Sequence, residues 1–281
     1  MLAATLALLA SLAWGTSDFL AGVQARRSTP WTAALAGQLV ASLALIALLL
    51  ALAPTRPSWS ALAPPLAGGA VGGLGVLLQY RALALADMSV VSPIIAGAAL
   101  VPVLWGVAAG ERPSPLQALG VALTVAGIML ISRRSRESAG TPRHMDGAGI
   151  VAAVAAAIAF GLFLVCLDYG GRADPYWTVA ATRTAALLTL AAAAGAMRPA
   201  IRFRRGAVPV LVLIGLLIAA ANLSFTAATT FGYLSLVAVL GWLNPAITIV
   251  WARVLLHERL SPLQLGAAAL VFAGIVCVTL G

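Results

Sequence analysis

Asp18 stands four residues after Trp14, one turn of an α-helix, so a carboxylate and an indole share a face of a segment otherwise almost free of charge. Ionisable groups inside apolar spans are costly to place and by default mark substrate or proton pathways. A carboxylate there could touch a solute or carry a coupling proton. It could equally be an ion pair or a cap facing Arg26 or Arg27 at the end of the same helix. Arg183 is the other charge set well inside an apolar run, about 12 Å deep at roughly 1.5 Å per residue. It could bind an anionic solute, snorkel to the surface, or pair with Asp168 or Asp174. Uncharged polar and aromatic side chains complete the set: Gln79, Tyr80, Asn222, Trp242 and Asn244 fall away from predicted helix ends or beside a break. Asn244 precedes Pro245, whose missing N–H frees a carbonyl, and a helix broken at that depth is tolerated only where protein or a cavity covers it. Each of these residues also fits plain hydrogen bonding or packing between helices.

Other chemistries find little support. His144 and His257 lie in connections without metal-ligand spacing, and Cys166 and Cys277 sit inside apolar runs as small buried hydrophobes. No metal or other cofactor is expected. An intramembrane enzyme acting on lipid-linked substrates would need paired acids, a His cluster or a metal set. No nucleotide-binding motif points to an ATP-driven pump, because the glycines at 68, 69, 72, 73 and 75 lack the Lys and Ser/Thr of a phosphate loop and read as a close-packing stripe. A non-transporting membrane scaffold is the third reading.

These residues must be positioned by membrane helices. Of 281 residues 62% are hydrophobic and 9% charged, against about 45–50% and about 25% in soluble domains. Apolar runs cover roughly 2–24, 31–53, 61–81, 90–109, 115–132, 147–167, 176–197, 207–230, 233–254 and 262–280. Lipid offers no water to backbone groups, so runs of this kind are helices, giving an all-α membrane protein with ten transmembrane helices. The first run lacks a basic leader and reads as a retained span, not a cleaved signal. Trp31, Trp59, Trp177 and Trp251 fall near predicted ends, where indoles anchor at the interface.

The chain is duplicated. Glu111-Arg112-Pro113-Ser114-Pro115-Leu116-Gln117 returns 147 positions later as Glu258-Arg259-Leu260-Ser261-Pro262-Leu263-Gln264, and Trp14-Gly15 and Tyr80 align with Phe160-Gly161 and Phe225. In each copy Ser caps a helix, Pro takes its first position and Gln reaches back as in a capping box, while Glu and Arg suit an interfacial ion pair or headgroup contact. The repeats are residues 1–132 and 147–281, joined by a basic polar linker at 133–146. Five crossings per repeat is odd, so the two five-helix repeats are inverted, with a solute site near midplane where they meet. Pro102 lies nine residues before Glu111 and Pro245 thirteen before Glu258, which predicts helix breaks at different depths in the two repeats. Thirteen arginines fall in connections after odd-numbered spans and three after even-numbered ones; the positive-inside rule then puts both termini outside the cytoplasm.

Ala13-Trp14-Gly15, the duplicated Glu-Arg-x-Ser-Pro-Leu-Gln junctions, the Ala-Gly-Ile turns at 126–128 and 273–275, and Leu243-Asn244-Pro245 resemble the EamA-type transporters of the drug/metabolite transporter superfamily. That resemblance implies a ten-helix carrier of small metabolites, often an exporter, with a central cavity built mainly from spans 1, 3, 4, 6, 8 and 9. Its members usually keep cytoplasmic termini, opposite to the arginine distribution. The implied protein is a non-enzymatic secondary transporter of the cell (inner) membrane, a monomer or weak homo-oligomer. Its partners are a small-molecule substrate and the lipid bilayer. The net charge of +9 is topological and implies no nucleic acid.

Overall fold

The computed structural model describes residues 1–85, 88–131, 147–202, 205–255 and 262–280. All regular structure among them is helical: α1 (Leu2–Arg27), α2 (Pro30–Leu52), α3 (Trp59–Leu85), α4 (Met88–Ala96), α5 (Leu100–Ala108), α6 (Pro115–Ile131), α7 (Gly147–Gly171), α8 (Pro175–Met197), α9 (Val208–Phe231), α10 (Leu234–Gly241), α11 (Asn244–Leu255) and α12 (Pro262–Leu280). Six of these, α1, α2, α3, α7, α8 and α9, are long and apolar enough to cross a bilayer. Shorter apolar helical stretches cover Ile94–Ala108, Pro115–Leu130, Leu234–Thr248 and Leu265–Leu280. The linker at 133–146 lies outside the described residues.

Local chemistry sets the helix ends. Thr29 and Asp174 each accept a hydrogen bond from the backbone N–H three residues on, at 3.2 Å from Thr32 and 2.8 Å from Trp177, ahead of Pro30 and Pro175 at the first helical position. Both helices run for 23 residues and end on a left-handed residue, Ala53 at φ 43° and Arg198 at φ 47°. At α6 the capping box forms as its sequence dictates: Gln117 N–H donates to Ser114 Oγ at 3.1 Å, and Ser114 N–H donates to Gln117 Oε1 at 2.9 Å. Ser261, the equivalent cap of the second copy, lies outside the described residues.

Tertiary packing repeats in pairs. α3 lies along α7 and α8, and α9 along α1 and α2. A β-carbon on Gly15 would stand 2.5 Å from Ile247 Cβ and 2.8 Å from the Asn244 carbonyl oxygen. One on Gly161 would stand 2.7 Å from the Ala98 carbonyl oxygen and 2.7 Å from Val101 Cγ2. The second crossing is the first displaced by 146 residues at every member. α6 and α12 run antiparallel: Gly120 abuts the Gly274 carbonyl oxygen at 2.7 Å, and Gly127 abuts the Ala267 carbonyl oxygen at 3.0 Å, again measured to an added β-carbon. Shifting either contact by 147 residues produces the other, which is what a two-fold relation between the helices requires.

The expected difference in break depth is not what the chain adopts. Between α4 and α5 the helix tightens to a 3-10 turn at Gly97–Ala99, and between α10 and α11 it breaks at Trp242 and Leu243. Asn244 meets Gly15 as Ala98 meets Gly161, so the two breaks fall at matching places. The prolines misled because neither sits at the break: Pro102 and Pro245 both lie in the first turn of the helix that follows, where no N–H is needed.

Candidate functional site

The break in the second repeat turns Asn244 toward α1. Its side-chain amide donates to Asp18 Oδ2 at 2.7 Å, while its own Oδ1 is buried without a partner. Asp18 stays exposed to solvent although it faces α11, and its carboxylate acts electrostatically on the Tyr80 hydroxyl of α3. Three helices therefore bring polar groups together around an exposed carboxylate. Nearby, Thr248 Oγ1 donates to the carbonyl oxygens of Gly15 at 3.1 Å and Asn244 at 2.9 Å, and Trp251 Nε1 donates to Thr16 Oγ1 at 2.9 Å. Those bonds hold α11 against α1 at the height of the carboxylate. Side chains of Arg26 and Arg27, the alternative partners for Asp18, lie outside the described residues.

One turn before Asp18, Trp14 sits at the centre of an aromatic wall. Its ring lies 5.6 Å from Phe225 and 6.4 Å, edge-on, from Trp242, and Trp242 lies 5.9 Å from Phe160. Trp14 and Phe225 are buried, whereas Trp242 and Phe160 are half-buried, so the wall rests on the first pair and presents the second. Offset and edge-on aromatic pairs of this kind are worth about 0.5–1.5 kcal/mol beyond area burial. Trp31 packs edge-on against Tyr80 at 6.0 Å, and Trp251 donates to Thr16. Trp59 is 70% exposed, with Arg56 over its ring at 4.1 Å.

The α10 side of the break is closed off by packing: Leu234, Ser235 and Val237 to Gly241 are buried, whereas Asn244 to Thr248 of α11 are half-buried. That closed side is pinned by Glu111, which accepts hydrogen bonds from the backbone N–H groups of Leu234 at 2.6 Å and Ser235 at 3.0 Å. Glu111 thus caps a helix of the other repeat instead of meeting headgroups or Arg112, and the carboxylate satisfies two donors that a helix start leaves orphaned. Gly106 leaves room for it, since a β-carbon there would intrude on the carboxylate. Asp168 lies near Glu111 and bonds Arg172 at 2.8 Å; Asp174 caps α8.

The sequence-predicted residues divide. Trp14, Trp242, Asp18, Asn244 and Tyr80 come together. Gln79 is half-buried on α3 and makes no hydrogen bond among the described residues. Asn222 is fully buried; its side-chain N–H donates to the Ile218 carbonyl oxygen of its own helix, and its Oδ1 is buried without a partner among the described residues. Thr248, Phe160 and Trp31 join the site without having been singled out for it. The 3.6-residue period could have added Thr248, one turn after Asn244. A separate cavity of about 360 Å³ opens between α1, α9 and α11, lined by Leu9, Leu12, Leu217 and Trp251 among others; it holds none of the carboxylates and looks out where lipid would lie.

Comparison with known proteins bears on the fold and the family. A search of curated proteins finds no match. A solved structure described only as a crystal structure of a protein shares the fold, with a TM-score of 0.83 at 21% sequence identity over 99% of this chain and 96% of the other. The model of the EamA-like transporter family, part of the drug/metabolite transporter superfamily, matches residues 1–133 and again 147–280. Two matches across nearly the whole length of a multi-pass membrane protein mean that the chain belongs to the EamA-like transporter family.

Proposed function

We propose that the protein is a secondary carrier that moves a small organic solute across the cell membrane by alternating access between two inverted repeats of five crossings, ten in all. Spans four and nine are then each made of two helical pieces, α4 with α5 and α10 with α11. The observation that carries this reading is the Asp18–Asn244 pair beside the Trp14–Trp242 wall, at a helix break where the two repeats meet. Discontinuous helices at a repeat interface free polar groups for a solute where lipid would otherwise forbid them. Asp18 and Asn244 would hold a polar or protonated group, Tyr80 would add a hydroxyl, and the aromatic wall would take an apolar body. Asp18 is also the group through which a proton could exchange with the solute.

By the positive-inside rule the side bearing thirteen arginines is cytoplasmic and both termini lie outside. Loading from that side suits export, the direction common in the family. Maleimide labelling of a cysteine placed at position 281 in intact cells would support this orientation; labelling only after permeabilisation would reverse it. The function itself is tested by thermal-shift screening of the purified protein against amino acids, sugars, nucleosides and drugs, followed by flux of each stabilising solute in proteoliposomes. Solute-dependent stabilisation with flux that Asp18→Asn diminishes is the expected result. Absence of both stabilisation and flux across the panel would sink the carrier reading, and an unchanged pH profile in Asp18→Asn would remove the proton from it.

A further inference from the structure

Arg183 is a buried positive charge that no acidic side chain meets among the described residues. Its side chain is 7% exposed, too buried to have snorkelled to an interface. The guanidinium lies over the Phe163 ring at 4.7 Å and donates through Nη1 to Gln38 Oε1 at a long 3.4 Å, while its Nε–H is buried with no partner. The chain has eight acidic residues. Of the four described, Asp18 is held by Asn244, Glu111 caps α10, Asp168 bonds Arg172 and Asp174 caps α8. The other four, Asp87, Glu137, Asp146 and Glu258, belong to connections between apolar runs, outside the described residues. Neither Asp168 nor Asp174, the partners its sequence position suggested, neutralises Arg183, and α2, α3, α8 and α9 contain no acid at all.

An uncompensated guanidinium inside protein loses far more hydration than one cation–π contact and one stretched hydrogen bond return. Such a group is kept where a counter-charge arrives with a ligand. Its place fits that role. Arg183 on α8 is Gln38 on α2 displaced by 145 residues, the same displacement that relates the two helices' caps and ends, so the pair meets where the repeats face each other. Identical residues there would set guanidinium against guanidinium. Gln38 offers an acceptor instead and is half-exposed, which leaves one side of the pair reachable.

We propose that Arg183 and Gln38 form a subsite for an oxyanion, the carboxylate or phosphate of the carried solute. The free Nε–H and a terminal N–H would donate side by side to two oxygens of the anion, the geometry a guanidinium fork favours. The Gln38 amide would turn to donate as well. The substrate class is then an organic anion, and this assignment rests on the carrier reading given above.

Purified protein is tested by thermal shift with benzoate, phenyl phosphate and benzamide, aromatic probes that differ in the group offered to Arg183. Benzoate or phenyl phosphate should stabilise the protein more than benzamide, and which of them does so assigns carboxylate or phosphate. In Arg183→Gln the apparent affinity for that anion should fall roughly 10- to 100-fold, with Arg183→Lys losing less. Equal responses to all three probes, or an anion response surviving in Arg183→Gln, would overturn the subsite. Should Arg183→Gln not fold, Gln38→Glu decides. A carboxylate built beside Arg183 should raise the melting temperature and abolish the anion response; a response that persists counts against the proposal. Counterflow in proteoliposomes separates the two claims. Flux of a solute with unchanged KM in Arg183→Gln leaves a carrier without this subsite, whereas Arg183-dependent binding without any flux leaves the subsite and removes the carrier.

Discussion

The two repeats agree in what their backbones touch and differ in what their side chains can do. Gly15 against Asn244 and Ile247 is matched, residue for residue, by Gly161 against Ala98 and Val101. Yet Asn244 answers to Ala98, Asp18 to Leu164, Arg183 to Gln38 and Tyr80 to Phe225. Close helix crossings need a glycine on one side and a backbone on the other, and lipid supplies no hydrophobic drive to replace that contact, so both copies must keep it. A carboxylate or guanidinium at midplane is costly wherever it sits, and one copy suffices for one solute. Packing is therefore read from the symmetry of the molecule and function from its departures.

The comparison can be broken most severely at the duplicated crossings. Gly15→Leu and Gly161→Leu should each destabilise by more than about 3 kcal/mol, since the added side chain meets backbone as well as side chain. Detergent thermal melts of the two variants should fall together. If one variant melts like the parent, the crossings are not equivalent. Glu111→Ala comes next: it strips two charge-assisted hydrogen bonds from the start of α10, an expected loss of about 1–3 kcal/mol. The same change should speed maleimide labelling of Ser235→Cys, which is fully buried on the closed side of the break. Asn244→Ala sharpens the asymmetric half of the comparison. Losing the Asp18 partner should weaken solute stabilisation by about 1 kcal/mol, roughly fivefold in apparent affinity, with little change in the melt of the empty protein. Arg172→Gln should leave solute stabilisation untouched and lower stability in the melt by on the order of 1 kcal/mol, because the Arg172 side chain is 68% exposed but Asp168 beneath it is 5% exposed and loses its charged partner.

How much the sequence disclosed follows from the range of the interactions. Helix starts at Thr29, Ser114 and Asp174 are decided within four residues, and all three caps form with local partners. The Trp14–Asp18 face is also local, a matter of helical period. Glu111 was legible only as an interfacial group because the helix it caps begins 123 residues later, at Leu234. The breaks were half legible: Asn244-Pro245 points to one, and Pro102, which leaves the Ala98 carbonyl four residues back without its helical donor, points to the other only at a distance. Asn222 stands out in an apolar run as a polar residue, but that its amide would bond its own helix while its Oδ1 stays without a partner is a matter of packing that no local pattern carries.

The glycine stripe of α3 has a consequence for how the protein is made. Gly68 rests on Cys166, Gly69 on Thr182, Gly72 on Phe163 and Gly73 on Thr189, every partner lying in the repeat that leaves the ribosome later. Until α7 and α8 are inserted, those small residues lack the partners they are shaped for, and the first repeat has only its sparser internal contacts, such as α1 on α2 and α4 on α6, to hold it. Close packing of the first half therefore waits on synthesis of the second.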